Sequence, residues 1–262
     1  MRVVLLTHGG ADLVIERLSG LAGIEMAGVF VESVAAPIRT PIEKLKRSIK
    51  YNGLAGTAAK LIRRGGRSNA TAEGRDLTRD AAARFGVPVV DVENYHTDNS
   101  ISLLRSARAD LAVIFGTNII KESVFSIPIL GSINLHQGLA PLYRGGPPVF
   151  WELFNGEDEV GLTVHFVAGK VDTGDIVLQS RVPLHYNPVF QLDFESFIDD
   201  FRSRLREHSA RLVADAVGAI AANDFQRSPQ DITQGKRYRL PTKREKDELR
   251  RRLKERLSRG GR

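Results

Sequence analysis

Three polar residues in this chain have the types and spacing that acyl chemistry needs. Asn134 and His136 stand two apart at the end of the run GSINLH, and Asp172 sits in the separate stretch KVDTG. In a strand, residues i and i+2 share a face, so the amide and the imidazole leave the sheet together while Ile133 and Leu135 point into the other layer. An amide and an imidazole can stabilise the oxyanion of a tetrahedral intermediate, and a carboxylate can orient or charge the imidazole and help move an amine's proton. No nucleophilic side chain is required. Taken alone, the N-x-H spacing is equally what a strand end uses to satisfy the turn that follows, because buried polar groups pair with something.

Positioning these residues requires an open α/β sheet, and the apolar pattern predicts one. Val3–Leu6 reads as a buried strand, Ala11–Leu21 as a helix with Leu13, Ile15 and Leu18 at helical spacing, and Ile24–Val31 as a second strand. Helices over Thr71–Phe85 and Asn99–Ala107 alternate with the strands PVVDV and DLAVIFG, and a further strand covers Ser132–His136. Such alternation predicts a doubly wound, mostly parallel sheet whose ligand crevice lies at the carboxyl ends of its strands, where Asn134 and His136 emerge. The run GLAPLYRGGPP breaks both periods and predicts a shaped loop before a helix at Val149–Phe154. LTVHFVAG and DIVLQSRVPL predict an antiparallel pair with Asp172 in its connection. A long amphipathic helix, Phe190–Ala222, carries Phe197, Phe201, Leu205, Leu212 and Val213 on a stripe suited to closing the back of the domain or a homodimer. Residues 37–68, from Pro37 to Ser68, read as a basic helical insertion; residues 1–185 then form the catalytic domain and 186–262 a helical C-terminal extension with a basic tail.

With 262 residues, 42% of them hydrophobic, the chain can bury one good core. No apolar run approaches the ~18 residues of a membrane span, and Asp12 interrupts the N-terminal apolar run before any cleavage pattern. Lack of cysteine excludes disulfides and thiolate metal sites, so a cytoplasmic protein with no membrane partner is expected. There is no GxxxxGK phosphate loop and no His/Asp pattern at metal-ligand spacing, so no metal is implied. The net charge of +7 is not spread evenly: from Arg237 to Arg262 twelve Lys and Arg face four Asp and Glu, giving +8 and leaving −1 for the rest. That tail, with Leu249, Leu253 and Leu257 at helical spacing, reads as a solvated helix face rather than a nucleic-acid surface.

Three blocks in order, SINLHQGLAPLYRGGPP, GLTVHFV and VDTGDIVLQSRVPL, closely resemble the N10-formyltetrahydrofolate-dependent formyltransferases, a family that includes glycinamide ribonucleotide, methionyl-tRNA and sugar-nucleotide N-formyltransferases. The resemblance runs from Met1 to about Leu184, weakens through the insertion and lapses in the C-terminal part. It implies a Rossmann-like formyltransferase fold and formyl transfer from N10-formyltetrahydrofolate to a primary amine, with Asn134, His136 and Asp172 as the catalytic set. It also implies a pteridine pocket lined, largely through backbone groups, by Thr117, Asn118, Ile119, Ile120, Val167, Ala168 and Gly169. The family's S-L-L-P stands here as Gly138-Leu139-Ala140-Pro141, one hydroxyl and one large apolar side chain short. In this reading Asp172 holds His136 cationic or correctly oriented, His165 supports the site from the core, and Asp175 is a surface cap.

An anionic group on the acceptor could be met by Arg144 or by the turn His8-Gly9-Gly10 at the start of the first helix; loop packing and an ordinary tight turn explain them as well. Glycinamide ribonucleotide formyltransferases carry a G-S-G-x-N type turn for the substrate phosphate, which Asp12 here would repel, and lack the insertion. Methionyl-tRNA formyltransferases carry a C-terminal β-barrel, and Asp224–Arg262 offers no run of strands for one. The resemblance is therefore closest to the amino-sugar branch and implies a nucleotide-linked amino sugar of polysaccharide biosynthesis as acceptor. The regulatory domain that precedes the folate deformylase relatives is not expected here. A non-catalytic relative that binds folate or nucleic acid would need none of the three polar residues.

Overall fold

The computed structural model describes residues 1–33, 42–43, 45–46, 48–51, 53, 69–184 and 194–259. The insertion expected over 37–68 lies mostly outside them. In chain order the first half runs β1 (Arg2–Thr7), α1 (Asp12–Ser19), β2 (Glu25–Glu32), α2 (Asn69–Arg84), β3 (Val89–Val92), α3 (Asp98–Ser106), β4 (Leu111–Phe115) and α4 (Glu122–Phe125). The second half continues with β5 (Ser132–His136), β6 (Tyr143–Arg144), α5 (Phe150–Asn155), β7 (Glu159–Phe166), β8 (Ile176–Pro183), α6 (Phe194–Ala221), β9 (Lys236–Arg237) and α7 (Lys243–Arg259).

Seven strands form one sheet in the order β3-β2-β1-β4-β5-β7-β8. The first five are parallel, and β5–β7 and β7–β8 pair antiparallel, as the alternation implied. Strands covered on both faces read as continuous apolar runs, and alternate residues divide between two cores. Val3 and Leu5 of β1 and Leu111 and Val113 of β4 join Ile15 and Leu18 of α1 and Phe201, Leu205 and Val217 of α6. Val4, Leu6, Ala112 and Ile114 instead meet Tyr95 and Leu104 on the other face. The long helix therefore closes the back of its own domain: Phe201, Leu205, Leu212 and Val213 are buried there and are unavailable for a homodimer, while the Phe197 side chain of the expected stripe lies outside those described.

Strand order reverses direction between β1 and β4, and an open sheet forms its ligand crevice at such a switch point. Tyr95 pins the strand ends beside it, the one hydrogen of its buried hydroxyl shared between the Thr7 and Phe30 carbonyls at 2.9 and 2.7 Å.

The C-terminal part is more than the helical extension expected. After α6 the chain returns along the domain: Ser228 bridges Ile176, and β9 pairs in parallel with β6 in the loop after β5. A two-residue strand has no period to read. Leu249 of α7 is fully buried in the main core. Among the described residues no β-barrel follows α6, no helix is long and apolar enough to cross a membrane, and no group of three or more His, Cys, Asp or Glu is arranged to hold a metal.

Candidate active site

A cavity of about 950 Å³ opens at the carboxyl ends of β1, β4 and β5. Period-two geometry delivers Asn134 and His136 to it from β5, and cross-strand register sets Asn134 opposite His165 of β7. Asp172 arrives from the β7–β8 connection with φ 52°, a left-handed conformation that Asp tolerates better than most residues. Its Oδ2 accepts from the Gly145 N–H at 2.9 Å and lies 3.4 Å from Nδ1 of His136, while Oδ1 lies 3.6 Å from Nε2 of His165. Asn134 Nδ2 sits 3.3 Å from the same His165 nitrogen.

Proton positions follow from partners that can only accept. Nδ1 of His165 is 2.7 Å from the Phe166 carbonyl and must carry a hydrogen, leaving Nε2 to accept from the Asn134 amide. Nε2 of His136 is 2.6 Å from the Tyr143 carbonyl and likewise donates. The lone pair of neutral His136 is then on Nδ1, beside Asp172. Burial lowers the His136 pKa below its ordinary value, outweighing Asp172 and the Tyr143 carbonyl, which raise it. Of the two roles expected of Asp172, holding the ring cationic or orienting it, this direction favours the second. Burial pushes Asp172 up, but the facing imidazoles of His165 and His136 and the Gly145 N–H together hold its carboxyl below the ordinary value. A neutral base therefore faces an ionised carboxylate, ready to stabilise a proton arriving on Nδ1.

Gly138 explains one departure from the S-L-L-P pattern. A Cβ there would stand 2.5 Å from Nε2 of His136 and 2.6 Å from the Tyr143 oxygen, so no side chain fits beneath this hydrogen bond. Thr117, Asn118, Ile119, Ile120, Val167, Ala168 and Gly169 all line the cavity, as does Gly10. His8 and Gly9 do not: His8 is held by Glu32 at 2.6 Å, and the neighbouring Gly10 N–H is bonded to the Gly74 carbonyl at 2.7 Å. Arg144 is also displaced from its expected role. Its buried guanidinium donates to the Pro141, Ile232 and Gly235 carbonyls rather than facing the cavity. Asp175 is absent from the lining, and its carbonyl accepts from the Phe166 N–H at 2.8 Å. Arg202, Ser203 and Arg206 of α6, which sequence reasoning missed, form part of the wall, with Arg206 bonded to Asp12 at 2.6 Å. Their signal was an i, i+4 pair of arginines one position beyond the Phe201/Leu205 stripe.

Residues 51–189 match the family model described as formyl transferase, just over half of the chain. The chain belongs to the formyl transferase family. Methionyl-tRNA formyltransferase of Bacteroides fragilis is 32% identical over 145 residues, which are 55% of this chain and 42% of that protein. The matched stretch thus spans less than half of that relative's length. Glycinamide ribonucleotide transformylase 1 from Symbiobacterium toebii shares the fold with a TM-score of 0.57 at 19% identity, over 85% of this chain and 88% of its own. WlaRD, a sugar 3N-formyl transferase whose structure was determined in the presence of dTDP and 5-N-formyl-THF, gives a TM-score of 0.53 at 14% identity, over 91% of this chain and 69% of its own.

Proposed function

We propose that this protein transfers a formyl group from N10-formyltetrahydrofolate to a primary amine in the cytoplasm. The observation that carries the reading is the convergence of Asn134, His136 and Asp172 on one cavity, whose other walls include residues 114–120 and 167–171. Its volume, about 950 Å³, is at the upper end for small-molecule sites and leaves room for an acceptor beside a reduced folate. The neutral amine attacks the formyl carbon, and the second amide hydrogen of Asn134 supports the oxyanion. The amine's proton passes to Nδ1 of His136, where Asp172 stabilises the imidazolium, and returns to N10 as tetrahydrofolate leaves. Residues 1–185 form the catalytic domain, and the C-terminal part adds the arginine wall of α6.

Within this reading the acceptor is a nucleotide-linked amino sugar. Asp12, in the first turn of α1 and paired with Arg206 at 2.6 Å, opposes a bare phosphate at that helix end, whereas Arg202 of the α6 wall places a further cation at the cavity for a diphosphate linkage. Methionyl-tRNA is the second reading, favoured by the 32% identity to a methionyl-tRNA formyltransferase over 145 residues. The test mixes the protein and N10-formyltetrahydrofolate with nucleotide-linked amino sugars, glycinamide ribonucleotide and charged initiator tRNA, following tetrahydrofolate release and acceptor mass. A formylated amino sugar is expected. Formylation of the tRNA alone selects the second reading, and formylation of glycinamide ribonucleotide overturns the argument from Asp12.

A further inference from the structure

We infer that Arg144 is a positioning residue and that the C-terminal segment Ile232–Arg239 is a built-in part of the active site, setting the His136–Asp172 pair through the backbone of Tyr143, Arg144 and Gly145. The carbonyl of Tyr143 accepts from His136 at 2.6 Å, and the N–H of Gly145 donates to Asp172 at 2.9 Å. Three consecutive residues therefore span the reacting pair, one hydrogen bond to each partner. They belong to a loop that forms no strand in the seven-stranded sheet; its two-residue β6 pairs with β9.

Arg144 fixes this backbone from its centre. Nε donates to Pro141 O within the loop at 3.1 Å, and Nη2 donates across to Ile232 O at 3.1 Å and Gly235 O at 3.5 Å. The Tyr238 N–H returns a bond to Arg144 O at 2.7 Å, and the Trp151 indole ties the Arg239 carbonyl at 2.8 Å. Tyr143 and Tyr238 stack with centroids 5.2 Å apart, and Asn155 donates to both hydroxyls. A planar guanidinium with a fixed fork of donors can serve loop and strap together, which an ammonium cannot do with the same geometry. Gly235 makes the contact close: a Cβ there would stand 2.1 Å from Pro141 O and 2.5 Å from Leu142 Cα.

The inference rests on reading His136 and Asp172 as the reacting pair, but the coupling itself can be measured without an acceptor. His136 is faced by Asp172 and His165, and Glu152 and Tyr143 border with it a small cavity of about 10 Å³. In the full chain, Arg144→Met, Arg144→Lys and Gly235→Ala are compared by NMR titration of the His136 ring, assigned through His136→Asn, and by formyl transfer. Binding of 5-formyltetrahydrofolate and circular dichroism are followed in parallel. All three variants are expected to lower kcat by about 100-fold, the scale of a misplaced reacting group, with folate binding retained. With the Tyr143 carbonyl and the Gly145 N–H displaced, the His136 titration should shift from its native position. Failure of Arg144→Lys to rescue is expected. A folded Arg144→Met or Gly235→Ala protein with native His136 titration and turnover overturns the inference. If Arg144→Met does not fold, Gly235→Ala, which keeps every charge, decides. Should His136→Asn leave turnover intact while Gly235→Ala still moves the native ring's titration, the proposed chemistry fails and the positioning link stands.

Discussion

Asn134 has two amide hydrogens, and Nε2 of His165 takes one of them. The other points the proposal for the oxyanion at this side chain alone, because the Nε2 hydrogen of His136 is held by Tyr143. Asn134→Ala is expected to lower single-turnover formyl transfer by about 10²–10³-fold, the usual effect of losing one such donor, with folate affinity unchanged. Since burial keeps His136 neutral, the acid limb of turnover should lie below the ordinary imidazole value, and His136→Ala should remove that limb. Glu152 supplies a separate pH signature. It is 3% exposed, and burial pushes its carboxyl from 4.5 up to about 7. Between those values the folded chain holds a proton that the unfolded chain has lost, so stability is greatest on the acid side and falls as pH rises from 4.5 to 7. The full effect is about 3 kcal/mol above pH 7. Glu152→Gln should therefore raise the melting temperature at pH 8 and much less at pH 5, read by thermal unfolding at both.

Helix α6 joins two tasks that helical geometry places one residue apart. Phe201 and Leu205 are fully buried against the sheet, while Arg202 and Arg206 reach the cavity. Leu205→Ala should cost about 2–5 kcal/mol in urea unfolding, transfer and cavity terms together. The sheet was legible from sequence because doubly covered strands read as unbroken apolar runs, and Asn134 and His136 because a strand repeats every two residues. Arg202 and Arg206 were not, since only packing decides which flank of an apolar stripe faces a crevice. Arg144 looked like a ligand for an anion because a lone arginine in a glycine-rich loop does not show that two of its carbonyl partners, Ile232 and Gly235, lie 88 and 91 residues on. The β6–β9 pair and the buried Leu249 escaped for a related reason: contacts of one or two residues leave no periodic trace.

For the molecule as a whole, part of the charge concentrated in the last helix is paired within that helix. Lys243 and Arg250 pair with Asp247, Arg251 with Glu248 and Glu255, and Arg252 with Glu248, all at i, i+3 or i+4 spacing. Such exposed pairs contribute only a few tenths of a kcal/mol each, so they hold the helix and not the fold. Contacts to the rest of the domain attach it, Arg252 donating to the Phe154 carbonyl at 2.8 Å among them. Thr242 and Glu245 form a reciprocal cap, with Thr242 N donating to Glu245 at 2.7 Å, and Glu245 also takes both arms of Arg239, whose cation holds its pKa down at about 2. Leu249 then inserts into the main core. Deleting residues 243–262 should therefore lower stability by at least the cost of losing one buried leucine, about 2–5 kcal/mol, seen as a lower melting temperature. Turnover per folded molecule should stay within a few-fold of native, because residues 232–239 and their bonds to the Arg144 loop remain. Deletion from Ile232 removes those bonds as well and should abolish turnover even where folded protein is recovered. Equal activity in the two truncations would separate the C-terminal segment from the chemistry, and an unchanged melting temperature in the shorter deletion would show that Leu249 fills a site the core closes without it.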